Sequence, residues 1–158
     1  MKPFLFALIA VTSASAAHAK EPEIPYPTGY RDWHHVKSMV IENGHPLFEA
    51  FGGIHHIYAN KKALKGYGSS HFPDGAVIVF DLLDAPRADN ALIEAERKVV
   101  GVMQKDAKKF AATGGWGFEG FAAGDQARRV VGDHAATACF ACHAPRKDSD
   151  YVFSRVRQ

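Results

Sequence analysis

The feature that most restricts this chain lies near its end, where Cys139-Phe140-Ala141-Cys142-His143 holds the only two cysteines of 158 residues. Two cysteines separated by two residues ordinarily suggest a disulfide or a thioredoxin-like redox pair. The histidine at the very next position points elsewhere. C-x-x-C-H is the spacing at which two thiols attach one porphyrin and the following imidazole reaches its iron. Cys139 and Cys142 are therefore the expected attachment points of one covalent haem c, and His143 is the expected iron ligand. Ala135 to Cys142 is small and helix-compatible, which puts the motif on a short C-terminal helix with both sulfurs within one turn.

The other end of the chain says where such a protein resides. Lys2 precedes an apolar run from Phe4 to Val11, and small residues follow up to Ala17-His18-Ala19. This is the pattern of a signal peptide over residues 1–19, cut after Ala19, because the apolar core is too short to span a bilayer at about 20 residues per helix. A soluble periplasmic protein is expected, with residues 20–158 as a single haem-binding domain. Loss of Lys2 lowers the formal charge from +2 to +1. That balance gives no reason to expect nucleic acid or a membrane surface as partner, and no feature specifies a redox partner.

Between the two ends the pattern is mixed. After a proline-rich extended lead-in (Pro22, Pro25, Pro27), the apolar positions Trp33, Val36, Val40 and Ile41 approach helical spacing, so a helix is predicted over Tyr30 to Ile41. Ile54 to Ala59 is β-branched and aromatic and predicts a strand. A short helix over Lys61 to Lys65 and a loop over Gly66 to Ser70 lead to a turn at Pro73-Asp74-Gly75. The near-continuous apolar run Ala76 to Leu83 reads as a strand buried on both faces. Asp84 to Asn90 is a predicted loop, the second half of Leu92 to Met103 a strand, and Asp106 to Ala112 a helical turn. Trp116 to Phe121 alternates large with small or polar residues, as a half-buried strand does. The expected fold class is α+β: a predominantly antiparallel sheet with a few short helices.

The far side of the iron is not fixed by any motif. Met39 and Met103 are methionines that reach an iron in electron-carrying cytochromes and equally fill gaps in cores. His55 and His56 are adjacent on a predicted strand, so at most one can face the haem. Glu119 reads either as a distal carboxylate or as a solvated strand residue, and Arg146 as a propionate partner, a neighbour of the proximal imidazole or a plain surface residue. The wealth of phenylalanine, Phe48, Phe51, Phe72, Phe80, Phe118 and Phe121 among it, suits a flat apolar macrocycle.

Several stretches together resemble the cytochrome P-460 family: Phe51-Gly52-Gly53-Ile54-His55-His56-Ile57-Tyr58-Ala59-Asn60, Phe72-Pro73-Asp74-Gly75-Ala76-Val77, Gly114-Gly115-Trp116-Gly117-Phe118 and the terminal motif. The chain is most similar to its cytochrome c′-β branch. That resemblance implies a β-rich homodimer whose five-coordinate haem binds nitric oxide and carbon monoxide against an apolar distal face, with Phe51 and Phe80 as the crowding phenylalanines. The family's other branch oxidises hydroxylamine and carries a lysine cross-linked to the porphyrin just before the F-x-D-G turn. Here that window reads Tyr67-Gly68-Ser69-Ser70-His71, and Lys62 and Lys65 lie earlier. Gas binding is thus the expected function, with the cross-linked enzyme and a six-coordinate electron carrier using Met39 or Met103 as alternatives.

Overall fold

The computed structural model describes residues 23–157, so the predicted leader and its cut lie outside the described residues. Five strands form one antiparallel sheet in the order β1 (His34–Ile41), β2 (Gly53–Ala59), β3 (Val77–Leu83), β6 (Arg97–Lys105), β7 (Trp116–Ala122). Between β3 and β6 the chain makes a small hairpin of β4 (Arg87–Ala88) and β5 (Ala91–Leu92), where a loop was expected. Among the described residues helix is confined to α1 (Phe48–Phe51), α2 (Lys61–Ser69), 3-10 turns at Tyr30–Asp32, Ala111–Thr113 and Gly132–His134, and the C-terminal run that follows. The α+β expectation holds.

Each face of the sheet carries its own core. On one, Ile57, Ile78, Trp116 and Phe118 pack with Ala63 and Phe72 from the α2 side and Ala135 from the C-terminal run. On the other, Val79, Val100, Val102 and Phe121 are covered by Ile24 and Tyr30 of the lead-in and by Phe110. A fully buried apolar side chain contributes roughly 1.5–3 kcal/mol, so two-sided coverage is what holds a sheet of this size. It also explains why Trp116 to Phe121 is buried on both faces rather than half-buried: every residue from Trp116 to Phe121 is shielded, and Gly117 leaves just enough room for the Phe110 ring.

The helix predicted over Tyr30 to Ile41 is a strand after the 3-10 turn. Its pairing with β2 runs His35 opposite Tyr58 and then Lys37 opposite Ile57, which leaves Val36 as an extra, bulged residue. A bulge breaks the two-residue period, and the displaced apolar position imitates helical spacing. The second departure is α2, which continues through the expected loop to Ser69. Asn60 starts it by accepting from Ala63 N (2.8 Å) and Val77 N (3.2 Å), tying the helix to β3. Gly66 keeps the helix going because its bare Cα lies against the Phe72 ring, where a Cβ would collide.

Candidate functional site

The motif residues lie on a continuous helical run: a π-helical turn at Ala135–Phe140, α3 (Ala141–His143) and a 3-10 turn at Ala144–Ser149. Both cysteines are free thiols, Cys139 half-buried and Cys142 exposed. Burial pushes the Cys139 thiol up to about 11, aided by the charges of Glu119 and Cys142. That shift disfavours Cys139 as the attacking thiolate of a redox pair.

His143 is held by chemistry the sequence did not advertise. Its Nδ1 is 2.7 Å from the carbonyl oxygen of Tyr151, an acceptor only, so that nitrogen carries the proton and donates. Burial holds the ring's pKa below the ordinary histidine value, against a smaller upward pull from the Tyr151 carbonyl, and so favours the neutral form. What results is a neutral imidazole whose Nε2 lone pair is available, with its other nitrogen oriented by a backbone carbonyl, as a metal-ligating histidine requires. The ring is flanked by Phe118 at 5.1 Å and Phe153 at 4.9 Å between centroids. Arg146 stacks its guanidinium on Phe153, 4.9 Å from the centroid, and so reaches the imidazole only through that ring.

The Tyr151 carbonyl is itself fixed by a left-handed pair, Asp150 (φ 50°) and Tyr151 (φ 65°). Such backbone persists where neighbours over-determine it. Asp150 Oδ1 takes the Lys105 ammonium at 2.6 Å, its Oδ2 accepts from Phe72 N at 2.8 Å, and its carbonyl accepts from Trp116 Nε1 at 2.8 Å. Asp150, Tyr151 and Lys105 were not singled out from sequence. The one local signal is that aspartate tolerates the left-handed region better than most residues.

Across the same face of the sheet stand the other candidates. Residues directly opposite in antiparallel strands share a face. The register Ile57, Phe80, Gly101, Gly120 and the register Ile78, Met103, Phe118 therefore place Phe80 and Phe118 on one side, the side that α3 approaches. Phe80, Cys139 and Phe140 all pack on the core that includes Phe118. Phe51, at the end of α1, meets Phe80 edge-on with centroids 5.6 Å apart, and remains 39% exposed. Gly53 (φ 121°) makes that junction possible, since a side chain there would strike the Leu83 carbonyl. His55 lies beside Phe80 on the same face, while His56 points to the other. Phe80, Cys139 and, through Phe118, His143 thus share one side of the sheet, and Phe51 meets that side at Phe80.

Met39 is exposed on the edge strand β1, whereas Met103, partly buried, packs beside Phe118 on the same face as Phe80. Glu119 is not solvated, and it lies on the face opposite Phe80 and Phe118. It is 7% exposed, and its Oε1 accepts from Val131 N (3.0 Å) while its Oε2 takes Arg129 Nη1 (3.1 Å), which clamps the segment leading into the motif. Of the two lysines in question, Lys62 donates to the Asp74 carbonyl at 3.1 Å and Lys65 is exposed on α2. Lys62 thus reaches the Phe72-to-Gly75 turn from the first turn of α2, where its ammonium is already hydrogen-bonded.

A family model described as Cytochrome P460 matches residues 27–154. The chain belongs to the cytochrome P460 family. It is a haem-binding cytochrome, and among curated proteins none matches it. The residues present fit a c-type haem: two free thiols on one helical run, an oriented neutral imidazole directly after them, and a phenylalanine-lined sheet face opposite. A cavity of about 580 Å³ does open on the far face, lined by Arg31, His56, Asp81 and Arg97 among others. Its charges are already paired with one another, which suits no apolar macrocycle. Among the described residues no helix is long and apolar enough to cross a membrane.

Proposed function

We propose that this cytochrome carries one haem c bonded through Cys139 and Cys142, has His143 as its only protein ligand to iron, and captures nitric oxide behind Phe51 and Phe80. When bound, the haem supplies an iron with an open position for a small uncharged gas. The chain does the rest. Tyr151 orients His143, and the edge-to-face pair Phe51 and Phe80 would supply the wall that a bound gas meets. That pair carries the reading, because an apolar, crowded wall admits a diatomic gas and disfavours larger polar ligands. On this reading the protein belongs to the cytochrome c′-β branch, acts as a periplasmic homodimer after loss of residues 1–19, and transports or removes nitric oxide. The absence of lysine between Gly66 and His71 favours it over a cross-linked hydroxylamine oxidase.

Optical spectra of the ferric and ferrous protein, with and without nitric oxide, test the proposal. A high-spin ferric spectrum that changes on nitric oxide addition is expected. A low-spin spectrum, or an intact mass short of hydrogens as a lysine cross-link requires, overturns it. Phe51→Ala should speed association of carbon monoxide or nitric oxide, read by flash photolysis, and unchanged kinetics would remove Phe51 from the wall.

A further inference from the structure

A buried cation of the sheet reaches the turn that orients His143. Lys105 is the last residue of β6, stands opposite Trp116 of β7, and is only 8% exposed. A lysine so deeply buried is almost always paired. Its ammonium meets Asp150 Oδ1 at 2.6 Å and the Gly114 carbonyl at 3.1 Å, and lies 5.1 Å from the centre of the Trp116 ring. Both anchors bear on Tyr151. Asp150 precedes it in the chain, and Gly114 lies against its ring, where a Cβ on the glycine would strike the aromatic carbons.

Asp150 (φ 50°) and Tyr151 (φ 65°) are consecutive non-glycine residues in left-handed backbone, which persists only where the surroundings over-determine it. Phe72 N and Trp116 Nε1 supply neutral contacts to Asp150, and among the described residues Lys105 is the only cation paired with its carboxylate. We infer that Lys105 is a positioning residue for the iron ligand: its ammonium holds the Asp150–Tyr151 turn, and through it the carbonyl that accepts from His143 Nδ1 at 2.7 Å. That hydrogen bond raises the basicity of the imidazole, which strengthens its bond to iron and favours the ferric state. The inference rests on His143 as the iron ligand of the proposed function, and not on which gas is bound.

Resonance Raman spectra and midpoint potentials of the holoprotein test it together. In Lys105→Met the iron–histidine stretch of the ferrous protein should fall, and the potential should rise by up to about 59 mV, a tenfold shift in a one-electron equilibrium. Lys105→Arg keeps the cation and should return both values toward wild type. Because Lys105→Met strands a buried carboxylate, Lys105→Met combined with Asp150→Asn gives a neutral version that retains an acceptor for Phe72 N, and the same two shifts are expected of it. Wild-type stretch and potential in either folded variant overturn the inference. The wild type supplies a check that needs no variant: the His143 Nδ1 proton should exchange slowly with D2O by NMR, and rapid exchange also overturns it. Absence of an iron–histidine stretch in the wild type, a band that five-coordinate ferrous haem shows, sinks the open iron position of the proposed function, while the potentials of the variants still decide the role of Lys105.

Discussion

His55 and His56 are consecutive on β2, and successive strand side chains point to opposite faces, so one peptide bond separates two different environments. His55 lies against Phe80 with an enclosed, unpaired nitrogen. His56 lies in a polar network: Ser38 Oγ is 2.6 Å from its Nδ1 and Glu94 Oε1 is 2.6 Å from its Nε2. The network extends through His35, 2.9 Å from Ser38, to Arg157. With both imidazoles neutral, and because Arg157 only donates and Glu94 only accepts, every bond in the chain runs one way, from Arg157 through His35, Ser38 and His56 to Glu94. Deeper on that face, Asp81 accepts from Tyr30 at 2.7 Å and from Arg97 at 2.6 and 3.2 Å. The far face satisfies its polar groups internally, whereas the near face leaves one enclosed nitrogen without a partner among the described residues.

The comparison can be broken most forcefully at Asp81. Asp81→Ala strands the Arg97 guanidinium and the Tyr30 hydroxyl, and loss of one partner of a buried ion pair costs about 3–5 kcal/mol. Denaturant unfolding should show a loss of that size while the visible spectrum of the folded protein stays the same. A shifted spectrum would mean that the two faces are not independent.

A smaller effect comes from pH. Burial pushes His55 down to about 4 from an ordinary 6.5, with the charges of His56 and Lys37 adding to the shift. Between those values the unfolded chain binds a proton that the folded protein refuses, so stability falls as pH drops from about 6.5 to about 4. The His55 share is on the order of 3 kcal/mol. Unfolding free energies at pH 7 and pH 4.5 should differ less in His55→Leu than in wild type. Equal slopes would show that His55 is not enclosed in solution.

The smallest effect belongs to the rim of the far face. Glu94 is 54% exposed, and exposed pairs contribute about 0–1 kcal/mol, so Glu94→Gln should shift stability by less than about 1 kcal/mol. A larger loss would show that the chain from Arg157 to Glu94 acts as one unit rather than as separate contacts.

Much of the fold was readable residue by residue. The apolar run at Ala76 to Leu83, the β-branched stretch at Ile54 to Ala59 and the Pro73-Asp74-Gly75 turn all stand where expected, with Ala76 N donating to the Pro73 carbonyl at 2.9 Å. What misled was non-local. The bulge at Val36 exists only against β2, and Gly66 continues α2 because Phe72 arrives beside it. Glu119 could not be assigned because its partners, Arg129 and Val131, come from a segment that folds back across β7.

The sequence by itself determined the chemistry of the motif: two thiols and an imidazole at a spacing that local helix suffices to align. It also determined which of His55 and His56 could share a face with Phe80, because strand alternation is a local rule. Only the tertiary structure decided how His143 is oriented, since the Tyr151 carbonyl that takes its proton is set by Asp150 and its contacts with Lys105, Phe72 and Trp116. It alone brought Phe51 onto Phe80 and left His55 Nδ1, beside Phe80, without a partner. Hydrogen bonds and ring contacts across tens of residues depend on register and packing, and no local pattern encodes either.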